Sequence, residues 1–243
     1  VAVTGSKFLA GPIFSGALLC PPQISERFRS LMLPAALADY CGKAEWPEGW
    51  IARDALPGRA NLGLLLRWKA ALFELERFVG VPEDRVTAVL SAFAEAVSHR
   101  LAIDPAFEPL QSRRLDRSEL WGVSSDLRWD EIPTVFSFYL RNCADGVMLT
   151  APEMAAVYKD LAVEVDEIAS VRLGQPGRCA DFGEVPASAL RICLSAALVV
   201  AASKSDEALA ALIAQAMRVL DRTAEVAARQ KDSSGTKDIR RSA

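Results

Sequence analysis

Between residues 61 and 97 apolar side chains return every three or four positions, and no other feature constrains the fold of this chain as strongly. In the first half of that stretch Leu62, Leu65, Leu66, Leu72, Phe73 and Leu75 recur at helical spacing, interleaved with Lys69 and Glu76. Asn61 reads as the N-cap of this helix and Gly80 as its stop. A second helix opens at Val81-Pro82-Glu83-Asp84. Proline there has no N–H to leave unsatisfied in the first turn, and the two acids complement the helix dipole. Val86, Val89, Leu90, Phe93, Ala96 and Val97 form its apolar stripe, which reads as core rather than as a ligand surface. His99, the only histidine, ends this pattern beside Arg100 and reads as a surface residue; a single histidine argues against histidine-based nucleophilic triads.

Shorter elements flank the two helices. Within residues 1–8 a short apolar strand runs into a small polar turn carrying Lys7; a Gly11-Pro12 corner follows, then a second apolar strand over 14–20, broken by Pro21-Pro22. Ser25 predicts the cap of a short helix to about residue 33, stopped by Pro34. Residues 34–60 hold proline, glycine, Trp46 and Trp50 and read as an irregular excursion, of a length that tends to serve function or an interface. Residues 104–131 read as loop with room for one strand, with Arg113-Arg114 a solvated pair. A β-branched and aromatic run over 132–140 is a strand. Thr150 caps a helix of about 152–165, with Pro152 near N1 and Glu153 at N3. A strand at 168–173 ends at Gly174-Gln175-Pro176-Gly177, and a third covers 190–197. Ser205-Asp206-Glu207 starts a long helix with Leu209, Leu212, Ile213, Ala216, Val219 and Leu220 on one side, and a disordered tail is expected from Gln230. This order predicts a small α+β domain whose antiparallel sheet is covered on one face.

A chain of 243 residues with a net charge of -3 can bury a substantial core, and nothing in its charge points to nucleic acid or a membrane surface as the main partner. The apolar runs read as too short or too interrupted to span a bilayer. Cys20, Cys41, Cys143, Cys179 and Cys193 are scattered without a Cys-x-x-Cys pair, which argues against structural zinc and a disulfide framework and for a reducing, cytoplasmic location.

The first residues carry the candidate chemistry. Thr4-Gly5-Ser6-Lys7 places one amine at the mouth of an expected core strand. Desolvation there disfavours the charged form and prepares a lysine to form a Schiff base with an aldehyde. The hydroxyls of Thr4 and Ser6 can donate to a phosphate, and Gly5 admits close backbone approach. Far along the chain, Arg191 sits inside the apolar run Ala189-Leu190-Arg191-Ile192-Cys193-Leu194, where a buried charge needs a partner.

Thr4-Gly5-Ser6-Lys7, followed by Gly11-Pro12 and Ser15-Gly16-Ala17, resembles the cofactor-lysine segment of fold-type-I pyridoxal-phosphate (PLP) enzymes, nearest the class-V aminotransferase and cysteine-desulfurase branch. That branch usually reads Ser-x-His-Lys, so Thr4 and Ser6 are departures, as is Phe14-Ser15-Gly16 where Gly-x-Gly is usual. The resemblance implies an α/β fold that is α+β in its C-terminal part. Residues 1–80 would be the end of the PLP-binding large domain, 81–229 long linking helices and a small α+β domain with an antiparallel sheet, and 230–243 a tail.

It implies PLP held by Lys7 with Thr4 and Ser6 nearby, an amino-acid-like substrate, and Arg191 gripping that substrate's carboxylate. The complete protein would be a homodimer with more than half of its large domain before Val1, so this fragment alone would have weak or no activity. Where the family places a segment reaching a neighbouring subunit's cofactor phosphate, this chain has Arg59-Ala60-Asn61. Two alternatives stay open. One is a non-catalytic subunit or interaction scaffold, a degenerate relative without cofactor. The other is a cysteine desulfurase using Cys179, which is read as lying on a Gly/Pro-rich loop.

Overall fold

The computed structural model of the chain describes residues 1–110, 128–142, 145–163, 171–182 and 185–238. Arg113, Arg114, Cys143 and the start of the strand expected at 168–173 lie outside these residues. Contacts divide the chain into two compact units, residues 1–80 with 195–197 and residues 81–194 with 198–243. The described architecture is mixed helix and sheet, and its sheets are antiparallel.

The first unit begins with a two-stranded ribbon. Strand β1 (Ala2–Thr4) pairs antiparallel with β2 (Gly16–Leu18), Ala2 opposite Leu18 and Thr4 opposite Gly16. These strands were expected to be core. Instead every residue of β2 is exposed, and Ile13, Phe14, Leu18 and Leu19 face solvent. A ribbon of two strands has no third strand in its sheet to extend a buried face. Helix α1 (Pro22–Phe28) starts at Pro22 rather than at Ser25, because proline at N1 brings a helical φ and no orphan N–H. The excursion over 34–60 contains 3-10 turns at Ala35–Asp39 and Lys43–Glu45 and the short helix α2 (Ile51–Asp54). Trp50 anchors it, buried with ring centroids 6.3 Å from Phe28 and 6.0 Å from Trp46.

Helix α3 (Leu62–Val79) has the expected cap: the Asn61 side chain accepts from the Leu64 amide at 3.0 Å. It buries Ala71 and Phe78. Its apolar stripe does not face inward, however. Leu62, Leu65, Leu66, Leu72 and Phe73 are all at least half exposed.

The second unit is built on helix α4 (Glu83–Ile103), whose Val86, Val89, Leu90, Phe93, Val97 and Leu101 are buried. By length and composition α4 could cross a membrane, contrary to the reading of the sequence, yet its apolar stripe is spent on the core of this unit. The sheet has the order β3-β4-β6-β5, with β3 (Phe107–Pro109), β4 (Val135–Leu140), β5 (Gly174–Phe182) and β6 (Val185–Cys193) all antiparallel. Opposite pairs Phe136–Ile192 and Phe138–Leu190 bury one face. Phe136 meets Phe93 of α4 at 5.9 Å, and Phe138 meets Phe107 edge-on at 5.2 Å.

Helix α5 (Ala151–Leu161) opens on the expected capping box: Glu153 accepts from the Thr150 amide at 2.7 Å, and Thr150 accepts from the Glu153 amide at 3.5 Å. After β6 come α6 (Ala196–Ala202) and α7 (Asp206–Asp238). Arg85 of α4 ties these ends together, donating to Asp206 at 2.8 Å and to the Ser203 carbonyl at 3.3 Å.

Further boundaries differ from the sequence reading. The strand expected at 190–197 starts earlier, at Val185, and ends at Cys193, and Ala196–Ala202 is helix. Gly174-Gln175-Pro176-Gly177, expected to end a strand, begins β5. Proline is tolerated because β5 is an edge strand, and the irregular pairing at Gly174/Gly177 absorbs the turn-forming residues. The helical backbone of α7 runs to Asp238, past Gln230 where a disordered tail was expected. Extending an existing helix adds a hydrogen bond per residue fixed, so a polar sequence can prolong it.

This arrangement sets the cost of truncation. Phe138→Ala, at a site with no exposure, should destabilise the protein by about 3–5 kcal/mol in urea unfolding. Phe73→Ala, on the exposed stripe of α3, should cost less than about 1 kcal/mol.

Candidate functional site

Lys7 belongs to a turn whose backbone is held at several points. The Gly5 amide donates to the Ser15 carbonyl and the Gly11 amide to the Gly5 carbonyl, each at 2.8 Å, while the Ala10 amide donates to the Lys7 carbonyl at 2.9 Å. Glycine is required at the first two positions. A Cβ on Gly5 would lie 2.4 Å from the Ala71 Cβ, and one on Gly11 would lie 2.7 Å from the same atom. Phe8 then packs edge-on against Phe78 at 5.1 Å, and its carbonyl accepts from the Ala196 amide at 2.7 Å. Thr4 and Ser6 share a hydroxyl hydrogen bond of 2.9 Å, and the Ser6 amide donates to the Thr4 hydroxyl at 3.3 Å. Two hydroxyls and an amine therefore share one rigid turn.

The environment of the amine differs from expectation. Lys7 is exposed rather than set at the mouth of a buried strand. The cause is the exposed ribbon on which it sits: β1 and β2 supply no buried strand mouth.

Arg191 lies on β6 opposite Ser137, exposed between the buried Leu190 and Ile192. Strand alternation turns its side chain to the face of Ala187, Ala189 and Tyr139; those residues are buried, while Arg191, nearer the end of β6, is exposed. Its Nη2 donates to the Gln175 carbonyl at 3.1 Å. Gly174 lets the side chain lie against β5, since a Cβ there would stand 3.0 Å from the Arg191 Cβ and 3.2 Å from its Nε. Arg191 lines a cavity of about 320 Å³ that also takes in Arg172, Gly174 and residues of α7. Arg172 escaped the sequence reading. The signal that singled out Arg191, a charge within an apolar run, is present at Val171-Arg172-Leu173 as well.

The structure places Lys7, Thr4 and Ser6 in the first unit and Arg191 in the second. The remaining candidates have structural employment. Arg59 donates to the carbonyls of Ala38 at 3.2 Å and Asp39 at 2.9 Å, bracing the excursion. The Asn61 side chain donates to Glu45 at 3.2 Å besides capping α3. His99 is exposed on the last turns of α4. Cys179, expected on a loop, lies within β5; it is exposed and its thiol donates to the Gly177 carbonyl at 3.2 Å. It falls at the irregularity between Arg178 and Ala180, where the pairing of β5 with β6 skips a residue. Burial pushes the phenol of Tyr139 above its ordinary pKa, and the charge of Cys179 adds to the effect.

Comparison with protein-family models, curated proteins and solved structures gives no match to this chain.

The packing of the lysine turn can be tested by a compensating pair. Gly5→Ala should destabilise the protein by about 1–3 kcal/mol, as overpacking does. Ala71→Gly in the same molecule should recover part of that loss in urea unfolding, because it removes the Cβ that the new methyl meets.

Proposed function

We propose that the chain carries the lysine-bearing and carboxylate-binding parts of a PLP-dependent enzyme acting on an amino-group substrate. The observation that carries this proposal is the Lys7 turn: a primary amine, exposed to an incoming aldehyde, on a backbone fixed by glycine packing and by hydrogen bonds on both sides. The donor set fits the group. The amine suits its aldehyde, and the hydroxyls of Thr4 and Ser6 suit its phosphate. When bound, PLP supplies an electron sink for charge developing on the substrate carbon.

The chain's own contributions follow from the residues. Lys7 would anchor the cofactor, and its amine, once displaced by substrate, is the group that would move a proton at the substrate Cα. Arg191 presents a guanidinium on an ordered strand, where two parallel N–H donors can orient a carboxylate. An exposed lysine is also hydrated, so walls that exclude water from the reaction come from beyond the described neighbours of Lys7. A homodimer in the complete protein and a cytoplasmic location are part of the same proposal, with transamination-like chemistry as the reaction type.

A second function, a non-catalytic interaction scaffold, is favoured by the exposed stripe Leu62, Leu65, Leu66, Leu72 and Phe73 of α3. Contiguous apolar surface of this kind marks a contact with another molecule or segment.

Borohydride reduction of the full chain after incubation with PLP, followed by intact mass and peptide mapping, separates the two. A reduced phosphopyridoxyl group on Lys7, lost in Lys7→Ala, is the expected result. An unmodified chain, or modification spread over other lysines with Lys7 spared, would sink the enzyme reading and leave the scaffold.

A further inference from the structure

The cavity beside Arg191 has a composition that the carboxylate role of Arg191 does not by itself explain. Its volume is about 320 Å³, and it lies wholly within the second unit. Two arginines line it, Arg172 and Arg191, and among the described residues that line it none is acidic. Neither arginine has an ion pair with a described carboxylate, in contrast to Arg85 and Arg141, which pair with Asp206 and Glu108 at 2.8 Å each. The remaining wall is largely apolar, with Leu198, Leu212 and Val219, and Gln215 adds one neutral polar side chain. Two like charges at one apolar cavity repel each other, and an anion entering between them relieves that repulsion. A long apolar wall repays a ligand that brings a hydrocarbon body with its charge.

We propose that this cavity binds a monocarboxylate with an apolar body, and that Arg172 is a second binding residue acting with Arg191 on the carboxylate. Leu198, Leu212 and Val219 then hold the body and select against short or doubly charged acids. The proposal deepens the enzyme reading by naming its substrate class as amino acids with apolar side chains. It rests on that reading only in taking Arg191 as the carboxylate anchor.

Titration calorimetry of the full chain with hexanoate, without PLP, tests it. Hexanoate should bind, hexylamine should not, and succinate should bind at least about tenfold more weakly than hexanoate. Arg172→Gln and Arg191→Gln should each weaken hexanoate by about tenfold or more, the loss expected of one charge-assisted pair. Arg172→Lys should retain part of the affinity. Leu212→Asn should weaken hexanoate while leaving acetate unchanged. Unchanged urea midpoints in the variants establish that folding is not the cause.

Hexanoate binding that is indifferent to Arg172→Gln would overturn the role of Arg172. Tighter binding of succinate would overturn the apolar body, and tighter binding of hexyl phosphate would overturn the carboxylate. If borohydride finds no PLP on Lys7 while hexanoate binds through both arginines, the cavity assignment stands and the enzyme reading falls. If Lys7 is modified and hexanoate fails to bind, the reverse holds.

Discussion

The pairing of β4 with β6 is the constraint on which the second unit depends. With Phe136 opposite Ile192 and Phe138 opposite Leu190, one face of the sheet becomes a continuous aromatic and aliphatic surface against α4. The same register puts Ser137 opposite Arg191 and Val135 opposite Cys193, on the other face. A shift of one residue would turn the guanidinium toward α4 and carry Leu190 and Ile192 to the face of Tyr139, Ala187 and Ala189, so register decides which face each side chain takes. The core thus decides where the charge goes: Arg191 is exposed while Leu190 and Ile192 are buried. Gly174 then lets the side chain settle across β5 without a methyl in its way.

Most of the helices could be read directly from the sequence, because their signals are local. The Asn61 cap, the opening at Pro82 and Glu83, and the Thr150–Glu153 box each involve residues within a few positions of one another. What could not be read was set by partners distant in the chain. Gly174-Gln175-Pro176-Gly177 has every mark of a turn, yet it pairs as strand because β6 offers an edge to which a proline does no harm. The apolar runs at the start of the chain have every mark of a core, yet they form a ribbon whose second strand is exposed throughout. Burial depends on what packs above a strand, and alternation alone does not say whether such a layer exists.

The candidate site divides in the same way. The position of Lys7 on a turn between two strands was legible, since glycine and proline mark the turn. Its exposure was not, because that follows from the missing layer. Arg191 was singled out as a charge in an apolar run, and Arg172 satisfies the same criterion in a segment read as an ordinary strand. Their shared cavity arises from the approach of α7 to the end of β6, a contact between segments that no local pattern links.

The exposed residues of α3 bear on both functional readings at once. A helix that buries only Ala71 and Phe78 while presenting five large apolar side chains is a poor surface for water and a good one for a partner. For a scaffold, that stripe is the function. For an enzyme, the stripe lies on the side of α3 away from the lysine turn, because Ala71, which lies against Gly5 and Gly11, is on the opposite face of the helix. Whatever covers α3 therefore acts on a helix that is already in contact with the backbone of the lysine turn.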